Sequence, residues 1–389
     1  MIIFLKRLVF NEIKRNEMKK LFLLLLCLFT QIKGVNELSK LGKPSNIKVF
    51  TNESRYFDNI KESLNKFDIA YELVGSVRND DQNLYIIFDL FKIDEKNLPK
   101  YYIAYQTLDL TKNILTTEYF KKLLRSVAVW DYSKENIDTY NSRIYNYFYF
   151  PKDYEYADPA ILSCLMPIST LDTYKDLLLY SNKKNTDISS HLPTLFYYCI
   201  LQDPKLLVEA GVRGGESTIS FGKAQEFCDT HLIGIDIDQT CEASYKRENS
   251  TFLCMDDLNF CKYYNKSVFS EKKLDVVFID TSHLYMQTIQ EIKTFAPLLN
   301  ENGMLMFHDS NVTPLMDGSA YLRLNGTFSG NCFGNTRGVT QAIKEYLSLN
   351  FDESKYCNFI CQQEATTWQI IHYPFCNGLT ILKKLPNPF

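Results

Sequence analysis

The chain has 389 residues, of which 46% are hydrophobic and 14% aromatic, so it is long and apolar enough to fill two domain cores. Its 43 basic and 46 acidic residues give a formal net charge of −3, which argues against a surface built to grip nucleic acid. The 11 cysteines include no C-x-x-C pair and no zinc-site spacing. We therefore expect a small-molecule partner and no nucleic acid.

The N-terminus has the layout of a secretory signal. The segment "MKKLFLLLLCLFTQIKG", residues 18–34, places two lysines before a short apolar stretch that is followed by small or polar residues. The apolar stretch is shorter than the roughly 20 residues that span a bilayer comfortably. Residues 1–40 are predicted to be a signal-like or membrane-anchor segment, which indicates secretion or membrane association. A buried N-terminal helix and a cytoplasmic location are the alternatives.

Residues 45–151 alternate short apolar runs with helical patterns, which predicts an α/β domain with a parallel sheet. The helical patterns are "RYFDNIKESLNKF" and "TTEYFKKLLRSV". The predicted strands are "NIKVFTN", "AYELVGSV", "NLYIIFDLF", "YYIAYQT", "SVAVWDYS" and "IYNYFYFP". With "SVAVWDYSKENI" and "YFYFPKDYE" as its strand and helix pieces, this block loosely resembles the N-terminal half of a GT-B glycosyltransferase. It offers no acid or base that we would assign to catalysis.

Residues 152–204 read as a helical connector, with helices in "DTYKDLLLYSNKK" and "SSHLPTLFYYCILQDP". Asp203-Pro204 should end the last helix, because the residue before proline is pushed away from helical conformation. A second α/β domain is expected from residue 205 to residue 385.

The second domain begins with "LLVEAGVRGGESTIS", residues 206–220, an apolar strand that meets an acid and three glycines before a helix. Glycine permits positive φ and lets a ligand approach the backbone closely. The spacing fits neither a Walker loop nor G-x-G-x-x-G, and the acid Glu209 would repel a pyrophosphate. The segment suits a ligand with a cationic or hydroxyl-bearing end, and Arg213 is either a surface residue or a contact to a ligand carboxylate.

Two further acids follow strands. Asp236 ends "HLIGIDID", where an acid can accept both hydroxyls of a ribose. Asp256 ends "STFLCMDDLNF", close to where an adenine edge would lie, although Asp257 competes for that role and either acid could cap a helix.

In this order and spacing, the segments resemble those of the class I S-adenosylmethionine (SAM)-dependent methyltransferases. "KLDVVFIDTSHLYMQTIQEIKTFAPLLNENGMLMFHDS", residues 273–310, looks like their fourth strand, helix and fifth strand, and "TTWQIIHYPFCNGLTILKK" looks like their final hairpin. The resemblance is greatest to small-molecule O-methyltransferases and cephalosporin-hydroxylase-like enzymes. It implies a seven-stranded Rossmann-like sheet with an antiparallel last hairpin. It also implies a SAM site formed by Glu209, Gly211, Arg213, Gly214, Gly215, Ser217, Asp236 and Asp256.

In this branch, aspartates after the fourth and fifth strands can hold a divalent metal, here Mg²⁺ on Asp280 and Asp309. The catechol-type relatives add an asparagine directly after the second aspartate, where this chain has Ser310 and then Asn311. His283, three residues beyond Asp280, is the candidate base for a substrate hydroxyl, with Asp280 as its catalytic neighbour. His308 could be a metal ligand or a packed ring.

The sequence thus predicts a SAM-dependent methyltransferase that acts on a hydroxyl of a sugar or small molecule. The alternatives are a glycosyltransferase with two Rossmann-like domains that uses a nucleotide sugar, and a SAM-binding protein without activity.

Overall fold

A computed structural model describes residues 46–51, 54–88, 90–106, 116–131, 133, 135–136, 147–149, 159–184, 186–264, 273–311 and 338–386. The signal-like segment predicted over residues 1–40 lies outside these residues. Across the part of the chain that is described, no helix combines the length and the apolar character that crossing a membrane requires.

The N-terminal domain contains a six-stranded sheet in which every pairing is parallel, as predicted. Its spatial order is β2-β1-β3-β4-β5-β6. The strands are β1 (Asn46–Phe50), β2 (Tyr71–Leu73), β3 (Asn83–Ile87), β4 (Tyr101–Gln106), β5 (Ala128–Asp131) and β6 (Tyr147–Tyr149).

Two amphipathic helices, α1 (Ser54–Lys66) and α2 (Thr117–Arg125), cover this sheet. On α1, residues Phe57, Ile60 and Leu64 are buried at helical spacing. On α2, the side chain of Thr116 accepts a hydrogen bond from the Tyr119 N–H and so caps the helix start.

Three helices follow: α3 (Pro159–Leu162), α4 (Leu171–Lys183) and α5 (Leu192–Gln202). Helix α5 ends as predicted, because Asp203 adopts a left-handed conformation (φ 44°) immediately before Pro204. One hydrophobic cluster joins Trp130 of the first sheet, Phe196 of α5 and Phe278 of the second sheet. Residues of both sheets and of α5 thus share one hydrophobic core, and the bounds of the predicted connector stay a prediction.

The C-terminal domain contains a mixed eight-stranded sheet in the order β12-β13-β14-β11-β10-β7-β8-β9. Its strands are β7 (Leu206–Ala210), β8 (His231–Asp236), β9 (Ser250–Cys254), β10 (Leu274–Ile279), β11 (Leu299–His308), β12 (Cys357–Gln363), β13 (Thr366–Tyr373) and β14 (Leu379–Leu385). Its helices are α6 (Glu216–Ala224), α7 (Asp257–Tyr264), α8 (Tyr285–Phe295) and α9 (Gly338–Tyr346).

The predicted Rossmann-like sheet with an antiparallel last hairpin is confirmed, because β7 to β11 are parallel and β13 and β14 form the hairpin. The expected count of seven strands is one too low. The additional strand β12 pairs with β13 at the edge of the sheet, and its mostly half-buried residues do not alternate regularly between apolar and polar.

The order of strands places the candidate site. In the sheet, β7 lies between β10 and β8, so the chain leaves β7 in one direction and later returns on the other side. The carboxyl ends of parallel strands at such a switch point form the ligand crevice of open α/β sheets. The glycine segment, Asp236, Asp280 and Asp309 all follow or end strands at this one edge.

Candidate active site

The three glycines after β7 differ in what they do. A Cβ at Gly211 (φ +87°) would overlap the carbonyl oxygen of Asp280, and a Cβ at Gly215 (φ +75°) would overlap the side chain of Ser244. Both positions therefore need glycine for reasons internal to the protein. Gly214 is different, because no described atom lies within 4 Å of where its Cβ would be. Gly214 is the position at which the loop backbone is open to a ligand.

The predicted contact of the Glu209 carboxylate with a ligand stays a prediction, and in the structure this carboxylate faces protein hydroxyls. Glu209 is 0% exposed and accepts hydrogen bonds from the hydroxyls of Ser217, Thr218 (2.8 Å) and Tyr245. Residues alternate between the faces of a strand, and the hydroxyls of α6 lie on the face that Glu209 occupies. Ser217, predicted to contact the cofactor, is one of these partners and is itself buried.

Burial raises the pKa of Glu209 to about 7, against the three hydroxyls, which favour the carboxylate. Through its hydrogen bonds with Ser217 and Thr218, Glu209 connects β7 to the first turn of α6 and so supports the glycine loop between them.

Asp236 holds the opposite side of the glycine loop. Its Oδ2 accepts hydrogen bonds from the backbone N–H groups of Val212 (2.8 Å) and Arg213 (2.9 Å), and its Oδ1 accepts one from Asp238 (2.9 Å). A carboxylate has about four acceptor positions, so these bonds leave room for a further donor. The predicted contact to a ribose stays a prediction, now for a side chain that also shapes the loop.

The two remaining candidates of the predicted cofactor set have protein partners. The Arg213 guanidinium pairs with Asp187 (Nη1 to Oδ2, 2.7 Å) while its side chain is 80% exposed. Asp256 Oδ1 accepts a hydrogen bond from the N–H of Asn259 (3.0 Å) at the start of α7. Asp256 is thus the helix cap that the sequence left open as an alternative, and its role at an adenine edge stays a prediction.

Two carboxylates and two imidazoles converge after β10 and β11. The Nε2 atom of His283 lies 3.0 Å from Asp309 Oδ2 and 3.6 Å from Asp280 Oδ1. On the other side, His308 Nδ1 lies 3.1 Å from Asp280 Oδ1 and 3.3 Å from Asp309 Oδ1. The predicted pair Asp280 and Asp309 is therefore brought together, with His283 beside it.

The charges of this cluster are strongly coupled. Burial disfavours the imidazolium of His308, but the carboxylates of Asp280 and Asp309 outweigh it and raise its pKa to about 9. Burial also disfavours the carboxylate of Asp280, yet His308 and His283 lower the pKa of that carboxyl below its ordinary value. Burial raises the pKa of Asp309. The cluster is a compact buried group in which imidazoles face carboxylates.

The residues fit a divalent metal. Asp280, His283 and Asp309 each offer one ligand atom, and these atoms lie within 4.8 Å of one another. Asp309 Oδ1 is buried and makes no hydrogen bond to any described residue, although His308 lies at ion-pair distance. Carboxylate oxygens of this kind suit Mg²⁺.

Ser310, at the position of the catechol-type asparagine, and the following Asn311 have other partners in the structure. Ser310 is fully buried, and Asn311 donates from Nδ2 to the carbonyls of Glu353 (3.0 Å) and Pro374 (2.8 Å). Both lie against the β13–β14 hairpin, away from the carboxylates. The predicted departure from the catechol pattern therefore stands, and His283 is the third side chain at the metal-like cluster.

Sequence reasoning missed the loop before α5. The carbonyl of Asp187 lies 3.0 Å from His308 Nε2 and accepts from Cys376 Sγ (3.1 Å), while its carboxylate pairs with Arg213. Thr186 donates to Glu216 at the start of α6 (2.7 Å). This loop contacts both the glycine segment and the carboxylate–imidazole cluster. In the sequence, only the polar residues of "NTDISSH" indicate a loop at this place.

Replacing Glu209 by glutamine should change how stability depends on pH. Because the folded-state pKa of Glu209 is raised from 4.5 to about 7, the folded protein holds an extra proton between these values, and the wild type loses stability as pH rises through them. The free energy of unfolding of E209Q minus that of wild type should rise from pH 5 to pH 7 by up to about 3 kcal/mol. Above pH 8 this difference should stay constant, because the carboxyl is then ionised in both the folded and the unfolded wild type.

Urea unfolding at several pH values measures this difference. Glu226→Gln, an exposed glutamate paired with Lys223, is the matched control and should leave the profile unchanged. Parallel wild-type and E209Q profiles would show that the carboxyl is not buried as described.

Comparison with known proteins gives one family match. Residues 208–310 match the protein family described as "Methyltransferase domain". No curated protein sequence matches the chain.

Among solved structures, the O-methyltransferase TomG from Streptomyces achromogenes in complex with SAM is 12% identical, with 51% of this chain and 81% of that chain covered and a TM-score of 0.34. An O-methyltransferase from Bacillus cereus with S-adenosylhomocysteine (SAH) is 12% identical, with 55% and 91% covered and a TM-score of 0.37. The methyltransferase MycE, in complex with Mg and SAH, is 15% identical, with 51% and 50% covered and a TM-score of 0.34.

None of these matches concerns glycosyltransferases, so the GT-B likeness of residues 45–151 stays a prediction. Residues 208–310 carry the family match, and they contain the glycine loop, Asp236 and the carboxylate cluster. Residues 208–310 therefore match a methyltransferase domain, in agreement with the resemblance to SAM-dependent methyltransferases predicted from the sequence.

Proposed function

We propose that this protein transfers the methyl group of SAM to a hydroxyl oxygen of a small-molecule or sugar acceptor. One observation carries the proposal: the glycine loop and the carboxylate–imidazole cluster abut at the switch point of the sheet. Gly211 packs against the carbonyl of Asp280, while the Asp280 side chain belongs to the cluster. A cofactor on the loop would thus lie beside groups that can receive a proton.

On the cofactor side, the amino-acid end of SAM is proposed to lie over Gly214, where the backbone is open. The ribose is proposed to lie by Asp236, whose carboxylate already fixes the loop through Val212 and Arg213. Glu209, Ser217 and Gly215 act from beneath the loop. Asp256 is proposed to face the adenine edge from the start of α7.

On the acceptor side, His283 is proposed to take the proton of the acceptor hydroxyl. Asp309 Oδ2 lies 3.0 Å from His283 Nε2, so the imidazole is held at the edge of the cluster. Methyl transfer is a direct displacement, and the protein has mainly to align an oxygen with the methyl group and to remove a proton. A positioned base of this kind contributes roughly 10²- to 10⁴-fold to the rate.

Asp280 and Asp309 would hold a divalent metal, with Mg²⁺ the ion that suits their oxygens. When bound, the ion would lower the pKa of the acceptor hydroxyl and fix its orientation. In this arrangement His283 remains the base, and His308 braces the carboxylates from behind.

The glycosyltransferase alternative is not favoured by the site. Glu216 opens α6 at the point where a diphosphate would meet a helix start, and the Arg213 guanidinium is already paired with Asp187. The negative charges of Asp236, Asp280 and Asp309 line the same edge. A nucleotide diphosphate would be repelled there.

Gly214→Val should weaken binding of SAM without changing stability. The added side chain meets open space in the protein but would occupy the proposed cofactor position, so we expect at least a tenfold rise in Kd. Isothermal titration calorimetry measures the Kd, and thermal unfolding checks the stability. Gly75→Val is the matched control, because Gly75 also has open space around its Cβ position among the described atoms but lies in the N-terminal domain. An unchanged Kd for SAM in G214V would show that the cofactor does not bind over this loop.

Asp309→Asn should weaken Mn²⁺ binding, since it removes one negative charge from the proposed metal site. His283→Gln should keep Mn²⁺ binding and lower turnover by about 100-fold or more, because it removes the base alone. Electron paramagnetic resonance counts bound Mn²⁺, and formation of SAH from SAM in the presence of a panel of catechols and sugars reports turnover.

His231→Gln is the control for these variants, because His231 lies at the start of β8 and contacts Thr251. Loss of Mn²⁺ binding in H283Q would make His283 a metal ligand rather than the base. Full turnover in H283Q would contradict both roles.

A further inference from the structure

The loop that carries Asp280 and His283 is short and has an unusual backbone. Strand β10 ends at Ile279 and helix α8 begins at Tyr285, so five residues join them. His283 has φ 55°, in the left-handed region that residues other than glycine rarely adopt. Such a conformation persists only where the surroundings determine it, and it is common at functional sites. The question is which groups hold this loop.

One side of the loop is held by a buried acid. The hydroxyl of Thr281 donates a hydrogen bond to Glu291, which lies on α8 and is only 1% exposed. Behind Glu291 lies Asp257 at the start of α7, which accepts a hydrogen bond from Gln287 Nε2 (3.0 Å). The loop is thus tied through Thr281 to two helices, at a point that immediately follows Asp280.

The other side of the loop is held by a close backbone contact. A Cβ at Gly338, the first residue of α9, would overlap the carbonyl oxygen of His283 and would lie 2.7 Å from the N–H of Tyr285. Only glycine allows α9 to approach the loop this closely. Together with Thr281, this contact leaves the backbone around His283 little freedom to move.

We propose that Thr281, Glu291 and Gly338 are positioning residues that hold the imidazole of His283 against Asp309. This inference rests on the proposed function of His283 as the base. None of the three is placed in contact with the cofactor or the acceptor. They act through the backbone of the loop, and their contribution is to keep His283 in reach of the acceptor hydroxyl.

The state of the acid pair defines the best control. Burial, and after it the carboxylate of Asp257, raises the pKa of Glu291 well above its ordinary value, which favours its neutral form. A glutamine at position 291 would reproduce a neutral group with one acceptor for Thr281 and one donor toward Asp257. We call the contacts of Thr281, Glu291 and Gly338 with the His283 loop the brace. Glu291→Gln should therefore keep the hydrogen bond from Thr281, whereas Glu291→Ala should remove it.

The first test observes His283 directly. The chain has five histidines, so a spectrum of the protein labelled with ¹³C in histidine rings is simple, and H283Q assigns the relevant signal. In Thr281→Val and E291A we expect the His283 signal to shift and to narrow as the ring gains motion. The signal of His231 should stay unchanged, and Thr281→Ser and E291Q should restore the wild-type spectrum.

The second test measures turnover. T281V should lower kcat by about tenfold to 100-fold, the range that a displacement of about 1 Å can cause, while KM for SAM stays the same. T281S and E291Q should retain most of the wild-type kcat. If T281V or E291A fails to fold, Gly338→Ala displaces the loop from the opposite side and should give the same split between kcat and KM.

The two proposals fail in different ways. If the wild type releases no SAH, the proposed function is wrong, and the ring spectrum still decides whether the brace exists. An unchanged His283 signal in folded T281V overturns the brace. If the His283 signal changes in T281V but kcat stays at the wild-type value, these residues hold the loop without positioning His283 for turnover, and the proposal is overturned.

Discussion

The site depends on one close contact between two backbone segments. Gly211 has no side chain, so the loop after β7 packs directly against the carbonyl of Asp280 after β10. Two hydrogen bonds continue the sheet at this point, from Asp280 N–H to Ala210 (2.8 Å) and from Gly211 N–H to Ile235 (2.9 Å). This packing sets the distance between the loop proposed for the cofactor and the residues proposed to activate the acceptor. A side chain at Gly211 would separate them.

Around that contact the protein buries acids in two different ways. Glu209 is enclosed by three hydroxyls, and burial raises its pKa to about 7, so it is neutral in mildly acidic solution and ionises near neutral pH. Asp280 is kept ionised by the adjacent His308. Buried acids are tolerated only when they are paired or protonated, and this domain uses both solutions within one sheet edge. Asp280 belongs to the cluster proposed to activate the acceptor, and Glu209 supports the glycine loop.

Much of this could be predicted from the sequence, because local patterns determined it. The glycine loop, the strands ending in Asp236 and before Asp280 and Asp309, and the final hairpin all lie where the apolar runs and turn residues indicated. The side-chain partners could not be predicted. Tyr245 reaches Glu209 across 36 positions and Asp187 reaches His308 across 121, and no spacing rule encodes such contacts. The edge strand β12 was missed because its mostly half-buried residues lack a clear alternation of apolar and polar side chains.

A crystal structure with SAH bound would test the central claim most directly. The account predicts electron density across the carboxyl ends of β7 and β8, with the ribose hydroxyls at Asp236 and the amino-acid end over Gly214. The sulfur atom should point toward His283 and the two aspartates. Density for SAH at any other surface, or a glycine loop closed by protein atoms in the presence of saturating SAH, would contradict the account.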